Sequence, residues 1–414
     1  MKQDRAVNRP RGIFSKVRMP LIIWVVLIFT SLSCAVSINL FGFNMSGYGW
    51  FVPFSINAVI MLRKAKDMKF PLKIWLPWLI LVGGYQLFAT VDNSLQRSVM
   101  LVSPIVTGLA VSTFRANDND LEYFYKLCRY MAIFLLLSIL VRSGIFSSGI
   151  LPYSTGLAPQ VMTGSILCCI FAARNAYGSV RDLYFWASLA ILPVIAVTRM
   201  GMIAAAVTLP MTFAPMRVEK RVLFLVLIGI AATSLFYTER IQKKMFFSGE
   251  GTIRDLKWDN PDIATHGRNI FWELLKKNIR EKPLLGHGAN ASEEVLSAYS
   301  EGLTHPHNDW LRLAHDYGFI GVGIFGITVI MQIIDLLKKA RDATVQKKIL
   351  FYSGASTVII FVLFMLTDNI ILYAAFFGHL QFAMLGLAYG ASDQHHVNAQ
   401  MSHQSNKKKI RIRW

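Results

Sequence analysis

Long apolar stretches, separated by short polar segments in which lysine and arginine cluster, constrain this sequence more than any other feature. Hydrophobic residues make up 54% of the 414 residues and charged residues only 16%, whereas a typical soluble domain has about 25% charged residues. The apolar stretches have the length of helices that cross a bilayer. The sequence therefore predicts an all-α polytopic membrane protein.

A helix needs about 20 apolar residues to cross a bilayer, with a range of roughly 17 to 25. On this criterion we predict about twelve transmembrane helices, of which the second and the sixth are short. They cover 19–42, 49–62, 71–90, 97–114, 128–146, 160–173, 183–198, 200–216, 221–237, 318–336, 348–366 and 370–390. No convincing cleavage site follows the first one, so we do not interpret it as a signal peptide.

The distribution of lysine and arginine predicts the orientation of these helices. With both termini in the cytoplasm, the short segments on the outer side carry only Arg97, Arg142 and Arg199. The one long outer segment is set aside, because long loops cross the membrane largely regardless of their charge. We expect spans one to nine within 1–237, a helical periplasmic cap at 238–317, spans ten to twelve within 318–390, and a basic cytoplasmic tail at 391–414.

The net charge of +19 does not indicate a nucleic-acid partner, because the basic residues flank apolar runs, where they contact membrane lipids. The cysteines all fall inside apolar runs, which indicates buried small side chains rather than disulfides or metal ligands. These cysteines are Cys34, Cys128, Cys168 and Cys169.

Two arginines are candidates for binding an anion. Arg199 lies in a tight turn between two apolar runs with no acidic residue nearby in the sequence, and an unpaired cation is costly there. The apolar residues between Arg268 and Ile279 recur at helical spacing, so Arg268 falls in the first turn of a helix, where backbone N–H groups and a guanidinium can bind one anion together. A solvated loop arginine is the alternative for Arg268. Snorkelling accounts for Arg97 and Arg142.

The segment from His305 to Gly318 contains the candidate base. Asn308 or Asp309 is a suitable N-cap for a helix that ends at Gly318. His307 then lies at the start of this helix, where the positive helix end favours a neutral imidazole that can accept a proton.

Other histidines of this segment have weaker roles in the prediction. His305 is the second candidate for the base, and we expect His315 on the outer face of the helix. A zinc site formed by His305, His307 and Asp309 is an alternative, although no clear fourth ligand accompanies them.

His307-Asn308, followed after nine residues by Gly318 and after two more by Gly321, resembles the signature of the bacterial O-antigen ligase and polysaccharide polymerase superfamily. The turn 198–201, Arg268 before a tryptophan-containing helix, and the segment 283–288 fit the same resemblance, which covers 195–325 by motif and the whole chain by topology. Two departures are Met200, where a small residue is common, and the extra His305, which leaves the identity of the base open.

The resemblance implies a glycosyltransferase of the bacterial inner membrane with its active site on the periplasmic side. Its donor would be a glycan linked to undecaprenyl pyrophosphate, and its acceptor a sugar hydroxyl on lipid A-core. The resemblance further implies that Arg199 and Arg268 bind the pyrophosphate and that His307 serves the acceptor, without a cofactor or a metal. We add Asn308, His305 and Arg312 as candidate substrate-binding residues.

Three alternatives stay open at this point. A polymerase of the same superfamily would use another lipid-linked repeat unit as the acceptor. A transporter of solutes or polyprenyl-linked glycans would have two related halves or charged residues deep in its spans, and neither is visible here. A non-catalytic scaffold would not need Arg199 at the membrane face.

Overall fold

The computed structural model describes residues 19–35, 39–40, 43–44, 48–89, 91–142, 157–257, 260, 262–265, 267–299 and 305–391. The predicted cytoplasmic segment before Met19 and the predicted basic tail after Ala391 lie outside these residues. Two short strands, β1 (Asn39–Leu40) and β2 (Phe43–Asn44), pair antiparallel.

The other described elements are helical, apart from an isolated antiparallel bridge between Phe246 and Ile263. The α-helices in chain order are α1 (Leu21–Ala35), α2 (Phe51–Arg63), α3 (Leu72–Gln86), α4 (Ser94–Val111), α5 (Asp118–Arg142), α6 (Ala158–Ala176), α7 (Val180–Ala190), α8 (Leu192–Ile195), α9 (Arg199–Thr208), α10 (Val218–Phe236), α11 (Glu239–Met245), α12 (Arg268–Glu281), α13 (Ala291–Tyr299), α14 (Asp309–Arg341), α15 (Val345–Phe364) and α16 (His379–Gly390). Single turns of 3₁₀-helix lie at Ala65–Asp67, Ile253–Asp255 and Ile370–Leu372, and a π-helical turn at Ala374–Gly378 precedes α16.

Three of the described helices, α4, α14 and α15, are long and apolar enough to cross a membrane. Helices α10 and α11, bent by 79° at their junction, would count as a fourth if they form one span. Shorter apolar helices, α1, α2 and α9, accompany them. The chain is a multi-pass membrane protein, while the count of about twelve spans, the orientation and the periplasmic cap stay predictions.

The centre of the bundle is formed by α4, α6, α14, α15 and α16, which pack against one another. At Gly386 in α16, an added Cβ would lie 2.5 Å from the Gly108 carbonyl oxygen of α4, so the glycine permits a close helix crossing. A buried polar chain also connects three helices, because Trp75 donates to Gln332 at 2.8 Å and Gln332 donates to Tyr389 at 2.8 Å. The four cysteines are buried, as the sequence predicts.

Helix α14 is interrupted at Gly318, which has φ 66° and ψ −175°. The break separates carbonyl groups before it from N–H groups after it, and the segment 283–288 pairs with both. His287 N and Gly288 N donate to the carbonyls of His315 and Asp316 at 2.9 and 3.0 Å. In the other direction, Phe319 N donates to Pro283 O at 2.8 Å and Ile320 N to Leu284 O at 3.2 Å. The segment 283–288 and the helix break at Gly318 therefore form one hydrogen-bonded unit.

We expect Gly318→Ala to destabilise the protein, because these backbone angles are nearly exclusive to glycine and an added Cβ would overlap the backbone of Leu284. The strain alone costs about 1–3 kcal/mol. Thermal unfolding in detergent, followed by fluorescence-detected gel filtration, measures the change. Gly323→Ala is the matched control, since Gly323 lies in the same helix with nothing within 4 Å of an added Cβ. Equal melting temperatures for the two variants would contradict the prediction.

The amphipathic helix predicted at Arg268–Ile279 is confirmed as α12. Phe271 and Leu275 are buried with Leu296 of α13 in a small hydrophobic cluster separate from the main core. Ile270, which the spacing also assigns to the apolar face, is instead exposed. This small cluster holds α12 and α13 against the start of α14.

Helix α10 is apolar but has no buried residue, so it does not pack against the bundle along its length. It is held at its ends instead. Arg221 donates to the carbonyls of Pro210, Thr212 and Ala214 at 2.9, 2.9 and 3.1 Å. Just beyond the other end, Arg240 donates to Ile195 O at 3.1 Å.

Candidate active site

Arg199 is the first residue of α9, and a strained turn places it there. Val197 has φ 49°, and Thr198 N donates to Pro193 O at 2.9 Å. At Gly201, the third residue of the helix, an added Cβ would lie 2.5 Å from Val161 of α6, so only glycine lets the helix begin this close to its neighbour. The half-buried Arg199 donates through Nη2 to Ala264 O at 3.0 Å.

Arg268 is the first residue of α12 and is also half-buried. Its Nη1 donates to Thr367 O at 2.9 Å. Among the described residues, no carboxylate lies within ion-pair distance of either arginine. Burial lowers the pKa of Arg199, and the positive charge of Arg268 lowers it further. The charges of Arg199 and Arg268 therefore repel each other, and both guanidinium groups can bind an anion.

His307 is held by two consecutive residues after α15. Its backbone N donates to Asn369 Oδ1 at 3.0 Å, and Asn369 Nδ2 lies 3.3 Å from His307 Nδ1. Asp368 Oδ1 lies 3.5 Å from the same ring nitrogen. His307 has φ 49°, and its side chain is 35% exposed. Because Nδ1 faces Asp368 and Asn369, Nε2 is the ring nitrogen left to meet a substrate.

The segment 365–371 connects Arg268 to His307. Thr367 accepts the hydrogen bond of Arg268, and the next two residues contact His307. Asp309 fixes the start of α14 to the same segment, since its N donates to Met365 O at 2.8 Å and its Oδ2 accepts from Ile371 N at 2.8 Å. A second connection runs from α12, where Trp272 Nε1 donates to Pro306 O at 2.8 Å.

Sequence reasoning does not identify Asp368 and Asn369. The signal that could have found them is the polar run Thr367-Asp368-Asn369 between two predicted spans, 348–366 and 370–390, on the same predicted side as the cap. An acid in so short an outer segment is a candidate partner for a histidine nearby in the fold.

Asn308 is the N-cap of α14, as predicted, because its Oδ1 accepts from Leu311 N at 2.9 Å. Arg312 is buried, with Nε 3.7 Å from Asp316 and Nη2 3.4 Å from Asn290. Its Nη1 makes no hydrogen bond within the described part of the chain. The substrate-binding roles of Asn308, His305 and Arg312 stay predictions.

The expectation that His315 lies on the outer face of its helix is wrong. His315 is fully buried, its Nδ1 lies 3.0 Å from Asp316 Oδ1, and its ring stacks on His287 with 4.7 Å between centroids. The reason is the segment 283–288, which covers this face of α14 where Gly318 breaks the helix.

Arg97 is paired rather than snorkelling. Its Nε and Nη2 donate to the two carboxylate oxygens of Glu293 at 3.0 and 3.1 Å, which connects α4 to α13. The side chain of Arg142 lies outside the described residues.

The zinc alternative has no geometric support. Asp309 directs Oδ2 to a backbone N–H, and no group of three histidine, cysteine or acidic side chains in the described part of the chain can hold a metal ion.

His305 is held neutral at physiological pH. Burial lowers its pKa to about 4, the charges of Arg312 and Arg97 act in the same direction, and Glu293 opposes them only partly. The lowered pKa favours the neutral ring of His305, which can exchange hydrogen bonds with a sugar hydroxyl.

This pKa predicts a pH dependence of stability. The unfolded chain protonates His305 near its ordinary pKa of about 6.5, whereas the folded protein does not until about pH 4. As the pH falls below 6.5, the unfolded state binds an additional proton, so the folded state loses stability down to about pH 4. We expect the melting temperature of His305→Gln to fall less between pH 7.5 and 5 than that of the wild type. Parallel pH curves for the two proteins would contradict this assignment.

The sequence family described as O-antigen ligase matches residues 183–326, a range that includes Arg199, Arg268 and His307 and ends just after Gly321. No curated protein matches the chain. The matched range covers the turn at Arg199, helix α12, the segment 283–288 and Gly318, while Asp368 and Asn369 lie beyond it. Residues 183–326 therefore form a region similar to the O-antigen ligase family, which supports the resemblance of the sequence to this superfamily.

Proposed function

We propose that the chain is a membrane glycosyltransferase that moves a glycan from a polyprenyl diphosphate carrier, undecaprenyl diphosphate in bacteria, to a sugar hydroxyl of lipid A-core on the periplasmic side of the inner membrane. The family supports lipid-linked glycan chemistry in a membrane. The ligase type, the carrier, the acceptor and the orientation belong to the proposal.

The observation that carries this proposal is the short segment 367–369. It accepts a hydrogen bond from Arg268 through Thr367 and contacts His307 through Asp368 and Asn369. Arg268, which has no acidic partner among the described residues, and His307, which lies beside a carboxylate, are thereby fixed against the same three residues. Glycan transfer from a diphosphate needs this combination, since the leaving group is an anion and the nucleophile must lose a proton.

The chemistry follows from these groups. The acceptor hydroxyl attacks the anomeric carbon, the bond from this carbon to the diphosphate oxygen breaks, and the electron pair stays on the phosphate. Arg199 and Arg268 stabilise the charge that develops there, and their planar forks match phosphate oxygens. His307 accepts the hydroxyl proton at Nε2 and later releases it to water, a role that contributes about 10²–10⁴-fold. Direct attack inverts the anomeric configuration, which NMR of the product tests.

The carrier chain must remain in lipid while its diphosphate reaches the arginines. Helix α10 provides a surface for it, because the helix is apolar, has no buried residue, and leads through its bend into α11 next to the Arg199 turn. We assign the lipid-facing entrance to the space beside α10.

A glycan-stained gel of envelope lipids from a deletion strain tests the proposal. Complementation with the wild-type chain should restore a core-linked ladder, and in its absence polymeric glycan should persist on the carrier. If the deletion strain instead carries a single repeat unit on its core, the chain is a polymerase of the same superfamily. An unchanged ladder in the deletion strain would contradict both functions.

A further inference from the structure

Helix α11 lies beside the turn 195–199, which ends at Arg199 and is called the Arg199 turn below. Hydrogen bonds connect both ends of α11 to this turn. At its start, Arg240 Nη2 donates to Ile195 O at 3.1 Å, three residues before the N-cap of α9. At its end, Ala264 N donates to Met245 O at 2.9 Å, and the carbonyl of the same Ala264 accepts from Arg199 Nη2 at 3.0 Å. The adjacent residues Phe246 and Ile263 form an antiparallel bridge that continues this connection.

Lys244 is placed by this helix on the side of Arg199. Residues four apart share one face of a helix, so Lys244 lies on the same face as Arg240, which contacts the Arg199 turn. Lys243, by contrast, lies four residues after Glu239 and pairs with its carboxylate, with both side chains mostly exposed. Lys244 is half-buried and makes no ion pair within the described part of the chain.

The segment that joins α11 to Arg199 also contacts Arg268 at the start of α12. Arg268 N donates to Thr265 O at 3.2 Å, one residue after the Ala264 that joins Met245 to Arg199. Hydrogen bonds of residues 264 and 265 therefore connect the end of α11, next to Lys244, with the side chain of Arg199 and with Arg268 at the start of α12. Burial lowers the pKa of Lys244, and the charges of Arg199 and then Arg268 lower it further, as expected for three cations that share one space.

We infer that Lys244 is a third diphosphate-binding cation, placed to stabilise the charge that appears on the leaving diphosphate when the glycosidic bond breaks. This inference rests on the proposed diphosphate donor. A diphosphate diester has one negative charge on each phosphate, which two arginines can neutralise. Cleavage leaves the departing diphosphate with one further charge, and Lys244 supplies the matching cation. An interaction that is stronger in the transition state than in the bound donor raises kcat.

Kinetics of the full-length protein in detergent micelles test this role. We expect Lys244→Met and Lys244→Gln to lower kcat by about 10–100-fold with a smaller change in KM for the lipid-linked donor. Lys243→Met is the matched control, because Lys243 is the neighbouring lysine and forms a solvent-exposed ion pair with Glu239. The kcat of this variant should equal that of the wild type. Lys244→Arg, which keeps the charge, should recover most of the lost rate.

Binding of farnesyl diphosphate and farnesyl monophosphate, measured by titration calorimetry, gives a readout besides activity. We expect Lys244→Met to weaken diphosphate binding about 10-fold and to reduce the preference for diphosphate over monophosphate. If Lys244→Met and Lys244→Gln behave like Lys243→Met while Arg268→Ala loses binding, Lys244 has no such role and the proposed function stands. If Arg268→Ala also binds diphosphate like the wild type, the proposed function fails with it.

Discussion

Arg268→Ala should lower glycan transfer by about 10²–10³-fold, because it removes a preorganised donor from the position where negative charge develops in the proposed reaction. Arg268 has no acidic partner in the described structure, so the substitution leaves no carboxylate unpaired and the protein should remain folded. The rate of transfer from a lipid-linked donor by the purified variant measures the effect.

Two further variants separate charge from geometry. Arg280→Ala is the control, since Arg280 is exposed in the last turn of the same helix and should be dispensable. Arg268→Lys keeps the charge but loses the planar fork that can contact Thr367 O and a phosphate together, so we expect it to recover only part of the rate. Full activity of Arg268→Ala would remove this residue from the site.

His307→Ala should lower transfer by about 10²–10⁴-fold without a comparable loss of donor binding, because the role that we propose for His307 begins when the acceptor hydroxyl loses its proton. Single-turnover kinetics with a bound donor isolate this step. His305→Gln is the comparison variant, since it removes the other histidine of the motif while keeping a hydrogen-bonding side chain. If His305→Gln abolished transfer and His307→Ala did not, the base would be His305.

Asp368→Asn tests the support of this base. Asp368 lies 3.5 Å from His307 Nδ1 and also accepts from Tyr373 OH at 3.2 Å, so the carboxylate is positioned to stabilise the imidazolium that forms. The amide keeps the shape and removes the charge. Its effect should vanish in a His307→Ala background, because the carboxylate acts through the ring.

The sequence predicts the parts of this site that depend on local pattern. The apolar spacing after Arg268 predicts helix α12, the polar pair Asn308-Asp309 predicts the cap of α14, and Gly318 marks the point where the helix breaks. Each of these features is encoded within one or two turns of chain, where side-chain spacing and backbone preference decide the structure.

The parts that the sequence does not predict depend on contacts between distant segments. Asp368 contacts His307 across 61 positions of the chain, and its placement depends on how α15 packs against α14. The burial of His315 depends on the segment 283–288 lying across the broken helix. The side of α11 that faces Arg199 depends on Arg240 and Ile195, which are 45 positions apart. Periodicity within a segment carries no information about such partners.

The most direct test of the account is transfer by the purified chain in proteoliposomes that contain a glycan on undecaprenyl diphosphate and lipid A-core. Mass spectrometry should detect the glycan on the core and released undecaprenyl diphosphate in equal amounts, with both products lost in Arg268→Ala and in His307→Ala. Movement of the intact lipid-linked glycan across the bilayer without cleavage would instead identify a transporter. That result would contradict the assignment of these residues to catalysis.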